Sequence, residues 1–183
     1  SKLKLNKKPI GIDIEQHKDK DKRIIFKKID AIRYFKENQK KFDLILIKQS
    51  IHLLKFNEIK KLISLSMRRL NQEGKIMIFS LETSKNEIPT FLSMKKKLKK
   101  SLKRDRKIIR FISSLHSKIL VKRFSFRVKI TKKKYTQMIK NRYISILLNF
   151  NLNKISKGIR EINYKYKEKI CFNDKLICLI LKK

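Results

Sequence analysis

The chain has no tryptophan, and only three glycines, two prolines and two cysteines among its 183 residues. Each scarcity excludes something. Gly11, Gly74 and Gly158 stand alone, so there is no Gly-X-Gly loop of the kind whose bare backbone approaches a phosphate or a cofactor closely. With two prolines a polyproline or collagen-like architecture is out. Cys171 and Cys178 are too few for a disulfide scaffold. Both lie in or beside apolar strand-like text, where buried free thiols are expected, and a reducing compartment fits them. No apolar run approaches the ~20 residues of a membrane-crossing helix. The opening "SKLKLNKKPIG" is basic but has no signal-peptide apolar region. An organelle transit segment is expected to be missing or already removed, and the expected location is intracellular, cytoplasmic or organellar. No His/Cys cluster has metal-ligand spacing, and no Ser/His/Asp set for nucleophilic catalysis stands out.

Acidic residues are also scarce. Fifteen Asp and Glu face 51 Lys and Arg, giving a net charge of +36. A field of that size favours polyanions, nucleic acid or an anionic membrane surface. A codon bias toward Lys, Ile and Asn explains abundant lysine without any binding role, but it does not explain so few acids. What is present in quantity is apolar: 41% of the residues, enough for one domain with a real core and too much for a disordered tail.

Apolar runs at 10–14, 24–29, 42–48 and 75–81 read as parallel strands, and 176–182 as an antiparallel one. The run 42–48 is apolar at most positions, as in a parallel strand covered on both faces. Residues 55–70 carry an apolar stripe and read as an amphipathic helix, stopped at "NQEG" by a left-handed Gly74. Beyond Pro89, "FLSMKKKLKKSLKRDRK" is a strongly basic helix with a narrow stripe at Met94, Leu98 and Leu102. Residues 121–131 alternate like a strand, two helices follow with Gly158 among apolar positions, and "ND" at 173–174 suits a turn. The order of elements predicts one α/β domain with a doubly wound, mostly parallel sheet, an antiparallel C-terminal strand and an added helical segment. Its expected parts are a cofactor side over 1–89, a basic helical segment over 90–118 and C-terminal strands with substrate-side helices over 119–183.

"FDLILIKQSIHLL" (42–54), a helix, and "LNQEGKIMIF" (70–79) resemble the fourth- and fifth-strand signatures of class I S-adenosylmethionine-dependent methyltransferases. "GIDIEQ" (11–16) looks like that family's second strand and "IIFKKIDAI" (24–32) like its third. "KKKYTQMIKNRYISILLNF", "GIREI" and "FNDKLICLILKK" resemble the C-terminal part of its small-molecule members. The resemblance covers nearly the whole chain, with five weak motifs in the right order. It implies S-adenosyl-L-methionine as cofactor. Asp13 would accept from the ribose hydroxyls. Asp30 would accept from the adenine amino group while the Ala31 amide donates to the ring. Lys48 and Gln49 would lie near the sulfonium and methyl. Arg142 and Tyr143, in the "KNRYIS" segment, would fall where a helix covers the substrate.

Blander roles compete for the same residues. Asp13 and Asp30 are also loop caps, Asp43 a structural salt-bridge partner and His52 a packed histidine, while His17 and His116 read as solvated. The family's first strand and its glycine loop are absent, because only ten residues precede the second-strand candidate. Two expectations follow. One is an N-terminally incomplete methyltransferase acting on a small molecule or RNA, with "SKLKLNKK" as the tail of the family's first helix. The other is a catalytically degenerate, methyltransferase-like protein that binds RNA through its basic surface, for example on the ribosome. A basic helix lying on an anionic membrane, over 91–107, is the weakest candidate because its apolar stripe is narrow.

Overall fold

In the computed structural model, which describes residue 5 and residues 7–16 and 21–183, two sheets rest on a shared core. The first is a parallel pair, β1 (Ile10–Asp13) and β2 (Ile25–Lys28). The second holds β3 (Phe42–Lys48), β4 (Leu70–Leu81), β5 (Ile119–Thr131) and β6 (Lys169–Lys182) in the order β3-β4-β6-β5. The pair β3/β4 is parallel, and β6 runs antiparallel to both β4 and β5. The strands read from the apolar runs are therefore present, parallel within each of the pairs β1/β2 and β3/β4, with 176–182 antiparallel to β4 as expected. Among the described residues β1 and β3 share no ladder, although Ile10 and Ile12 of β1 pack on the core that holds Ile45 and Ile47 of β3. Among the described residues the ladder partner of β1 is β2 and that of β3 is β4.

The helices are α1 (Ala31–Glu37), α2 (Phe56–Arg68), α3 (Leu92–Leu115), α4 (Lys132–Lys140) and α5 (Leu152–Lys165). Caps fix where several of them start. The Asp30 carboxylate accepts from the Arg33 amide at 2.9 Å, Thr131 Oγ1 from Lys134 at 3.2 Å, and Asn151 Oδ1 from Lys154 at 2.9 Å. Glu58 reaches back to the Lys55 amide at 2.6 Å at the start of α2. That helix then buries Ile59, Leu62 and Ile63 against one face of the sheet.

The basic helix α3 is 24 residues long, about 36 Å at the α-helical rise. Its stripe continues from Met94 and Leu98 through Ile108 and Ile112, so it spans two cores. The first core carries Ile45, Ile47, Ile76, Ile78, Leu179 and Leu181 against α1, α2 and the C-terminal half of α3. The second gathers Phe91, Met94, Leu98, Tyr135, Phe150, Ile155 and Ile162. The Tyr135 hydroxyl, fully buried there, donates to the Pro89 carbonyl.

Several local expectations need correction. Gly74 has no positive φ and ends no helix; it lies within β4, where a Cβ would sit 2.9 Å from the Phe42 carbonyl oxygen and 3.0 Å from that of Asn71. Close backbone approach beside the register shift between Phe42 and Leu44 is what requires glycine there. Residues 173–174 make no turn, because β6 pairs with β5 along its whole length. Asn173 also donates to Glu87 through both its backbone and side-chain nitrogens. β3 is covered on one face only: Leu44 and Leu46 are 47% and 55% exposed. Cys178 is buried as expected, but Cys171 is exposed, paired with Lys129 where the β5/β6 ladder extends past β4. Asp43 accepts from Asn71 Nδ2 at 2.6 Å, a hydrogen bond in place of the expected ion pair.

Candidate active site

The carboxyl ends of parallel strands are where open α/β sheets place their ligands. Asp13 is the last residue of β1, and its Oδ1 accepts from the Glu15 amide at 3.0 Å, which fixes the carboxylate at the strand end. Asp30 follows β2 and caps α1, using one oxygen on the Arg33 amide. The cap predicted as the bland role is therefore real. Ala31 opens α1, so its amide belongs to the first helical turn, where no intrahelical acceptor exists. Asp13 and Asp30 end neighbouring strands, since Asp13 is in register with Lys28 and its carbonyl accepts from the Ile29 amide at 2.9 Å.

Lys48 ends β3. Gln49 follows with φ 52°, a left-handed conformation uncommon outside glycine, and its amide donates to the Phe79 carbonyl at 2.9 Å. That bond ties the turn after β3 to β4. Arg142 has the same φ of 52° and lies in a tight turn after α4, not in the helix that the family resemblance suggested. Its Nη2 donates to the Phe150 carbonyl at 3.0 Å, a bond that holds the second core together. Tyr143 beside it is 76% exposed. Ser145, just past this turn, has its hydroxyl 3.2 Å from Nε2 of His52, in the 3-10 turn Ile51–Leu53 that follows β3. Asp13 and Asp30 lie at the ends of the neighbouring strand pair.

His52 is half-buried, as a packed histidine is. Burial lowers its pKa, and the Asp105 carboxylate acts against that. Asp105 is buried on α3, its own pKa is raised by burial, and its Oδ1 has no hydrogen-bond partner. Sequence reading missed Asp105, because one acid in a lysine-rich helix looks solvated. Its place on the Met94–Leu98–Ile108–Ile112 stripe was the available signal. His116 is half-buried at the C-cap of α3, and His17 lies outside the described residues. Among the described residues no His/Cys/Asp/Glu group could hold a metal ion.

Asp105→Asn is expected to raise stability at pH 7 by about 1 kcal/mol, since it removes a buried charge without changing shape. The sign follows from the raised carboxyl pKa: the penalty exists only while the carboxyl is ionised. Denaturant unfolding should show the gain at pH 7 and its disappearance near pH 4. A variant less stable than the parent at pH 7 overturns the assignment.

Glu82 and Asp174 were also missed. Glu82, one residue past β4, is buried and accepts from the Thr83 and Ser84 amides at 2.9 and 3.3 Å and from the Ser84 hydroxyl at 3.0 Å, while Arg123 Nε donates to it at 3.0 Å. Asp174 lies on β6 opposite Phe126; burial raises its pKa and the nearby Lys48 ammonium acts against that.

No protein-family model matches the chain, and no curated protein is similar to it. Solved structures are similar in fold. One is a putative methyltransferase from an antibiotic biosynthesis pathway of Anabaena variabilis, with 13% identity over 87% of this chain and 74% of that one and a TM-score of 0.58. Phosphoethanolamine N-methyltransferase 2 of Haemonchus contortus, solved with S-adenosylhomocysteine, shows 18% identity, 96% and 43% coverage and a TM-score of 0.48. The plantazolicin methyltransferase BpumL, also solved with S-adenosylhomocysteine, shows 14% identity, 96% and 66% coverage and a TM-score of 0.46. The chain spans between about two fifths and two thirds of the length of the latter two. The likeness to the Anabaena protein is one of fold: a Rossmann-like sheet of parallel and antiparallel strands flanked by helices.

Proposed function

We propose that this chain carries the adenosine-holding part of an S-adenosyl-L-methionine-dependent methyltransferase. The observation that carries the reading is the placement of Asp13, Asp30, Ala31, Lys48 and Gln49 at the carboxyl ends of β1, β2 and β3, in a fold shared with a methyltransferase structure. When bound, the cofactor supplies an electrophilic methyl group on a sulfonium. Asp13 is an acceptor for the two ribose hydroxyls. The Ala31 amide and the Asp30 carboxylate are a donor and an acceptor for the adenine edge.

The residues present fit that half of the cofactor and not the amino-acid half. None of the glycines lies in a loop that follows a strand and opens a helix. We place a further strand in the interval between β1 and β3, which share no ladder among the described residues and pack on one core. A parallel strand there, ending in a glycine-bearing loop, would satisfy both ladders and complete the site. The methyl acceptor would lie on the side of Arg142 and Tyr143, and a small molecule and RNA are its two candidate classes.

S-adenosylhomocysteine titrated into the chain should bind weakly and shift the backbone amide NMR signals around Asp13, Ala31 and Gln49. Asp13→Ala and Asp30→Ala should each weaken binding further, by about 1–3 kcal/mol, the range for losing a hydrogen-bond partner in a formed site. Shifts confined to other segments, or unchanged affinity in both variants, would overturn the reading. Micromolar affinity would show instead that another segment replaces the glycine loop.

A further inference from the structure

Strand alternation puts residues 44, 46 and 48 of β3 on the face opposite the core residues Ile45 and Ile47, and the ladders carry that face across the sheet. Lys48 pairs with Phe79, Phe79 with Cys178, and Cys178 with Lys122; one step along, Leu176 pairs with Phe124 and Asp174 with Phe126. Three phenylalanines thus share the face. Phe79 and Phe124 have ring centroids 5.8 Å apart, and Phe124 and Phe126 are 6.4 Å apart with planes within 7°. Phe126 is 54% exposed, an unusual position for a ring in a folded domain. The same face carries the exposed Lys48, Lys75, Lys122 and Lys182, against two acids, Glu73 and Asp174.

We infer that this face, the row Phe79–Phe124–Phe126 with its rim of Lys48, Lys75, Lys122 and Lys182, is a binding platform for single-stranded RNA. Flat rings offered on an open sheet accept unstacked bases face to face, and the ammonium groups of Lys48 and Lys122 on the flanking strands, with Lys75 and Lys182 farther along the same face, meet the phosphates. A duplex hides its base faces and could use only the lysines. A protein partner would need an apolar surface fringed with acids; the charge of +36 spread over the chain favours a repeating polyanion instead. The inference does not rest on Asp13 and Asp30, which lie on the other sheet, and it shares only Lys48 with the cofactor reading.

The test is fluorescence anisotropy with a labelled 12-nucleotide single-stranded RNA and, separately, the same sequence as a duplex, at two salt concentrations. Phe126→Ala, at an exposed position where folding is not at stake, should weaken single-strand binding about tenfold. It should leave the duplex affinity and the salt dependence unchanged. Phe126→Tyr, which keeps the ring, should restore single-strand binding. Asp13→Ala and Asp30→Ala should have no effect on RNA, so a failed cofactor site and a failed RNA platform give different results. Equal single-strand affinity for the parent and Phe126→Ala overturns the platform and leaves charge alone. Equal or tighter binding of the duplex does the same. Preferential, Phe126-dependent binding to vesicles with anionic lipid would reassign the face to a membrane surface.

Discussion

Replacing Glu82 by Ala is expected to lower stability at pH 7 by about 2–4 kcal/mol. The carboxylate is buried where β4 ends and meets the Thr83 and Ser84 amides, the Ser84 hydroxyl and the Arg123 guanidinium. Truncation leaves several donors without their acceptor at a site largely closed to water, the situation in which a lost partner has its full effect. Arg123→Ala should matter much less, because the arginine side chain is 69% exposed and solvent replaces its contact. Burial pushes the Glu82 carboxyl up, but the bonds from Ser84, Thr83 and Arg123 outweigh it and hold the pKa below the ordinary 4.5. A depressed carboxylate stabilises the fold above the unfolded-state pKa and loses that contribution as pH falls through the folded value. Urea unfolding should therefore show the full deficit of Glu82→Ala at pH 7, and a smaller one below about pH 4. A deficit under 1 kcal/mol at pH 7, or one that does not change with pH, would falsify the assignment.

Gly158→Val is the second large effect, about 3 kcal/mol of destabilisation. Gly158 is buried in α5, and a Cβ there would meet three carbons of the Phe91 ring at 2.6 Å. Phe91 is 2% exposed and packs edge-on against Phe150, with centroids 5.9 Å apart, so the ring has little room to move. Overpacking of this kind costs about 1–3 kcal/mol, and a branched side chain lies at the upper end. Gly158→Ala isolates the clash, because alanine is about 1 kcal/mol better than glycine inside a helix. A destabilised Gly158→Ala shows that contact with Phe91 outweighs propensity. The double variant Phe91→Leu, Gly158→Ala should be more stable than the sum of its single changes by about 1 kcal/mol, measured by thermal and urea unfolding. Additive effects would mean that the second core tightens elsewhere.

The periodicity of the chain was enough for much of the fold. Short β-branched runs bury both ladder and side chains as strands, and the stripe of α2 needs an apolar partner, which the sheet supplies with α1 and α3. The segments 42–48 and 56–68 form the strand and helix their patterns require. Local chemistry was also legible where a bond is made within a few residues, as in the Asp30 and Thr131 caps. The turn expected at Asn173 and the helix end expected at Gly74 were misread for the opposite reason. Both signals are local preferences, and each was overridden by a strand partner distant in sequence: β5 along β6, and Phe42 beside Gly74.

The polar sites divide in the same way. Asp13, Asp30, Lys48 and Gln49 could be picked out because each follows an apolar run, and the end of a strand is a position that sequence marks. Asp105, Glu82 and Asp174 could not, because a carboxylate's role here depends on which element closes over it. The sequence by itself determined the strand and helix types, the basic charge and the lack of a glycine loop. Only the tertiary structure decided which acids lose their water, which face of the sheet stays bare around Phe126, and that β1 and β3 share no ladder among the described residues. Backbone pattern is written in neighbouring residues, whereas desolvation and strand pairing are set by residues far apart in the chain.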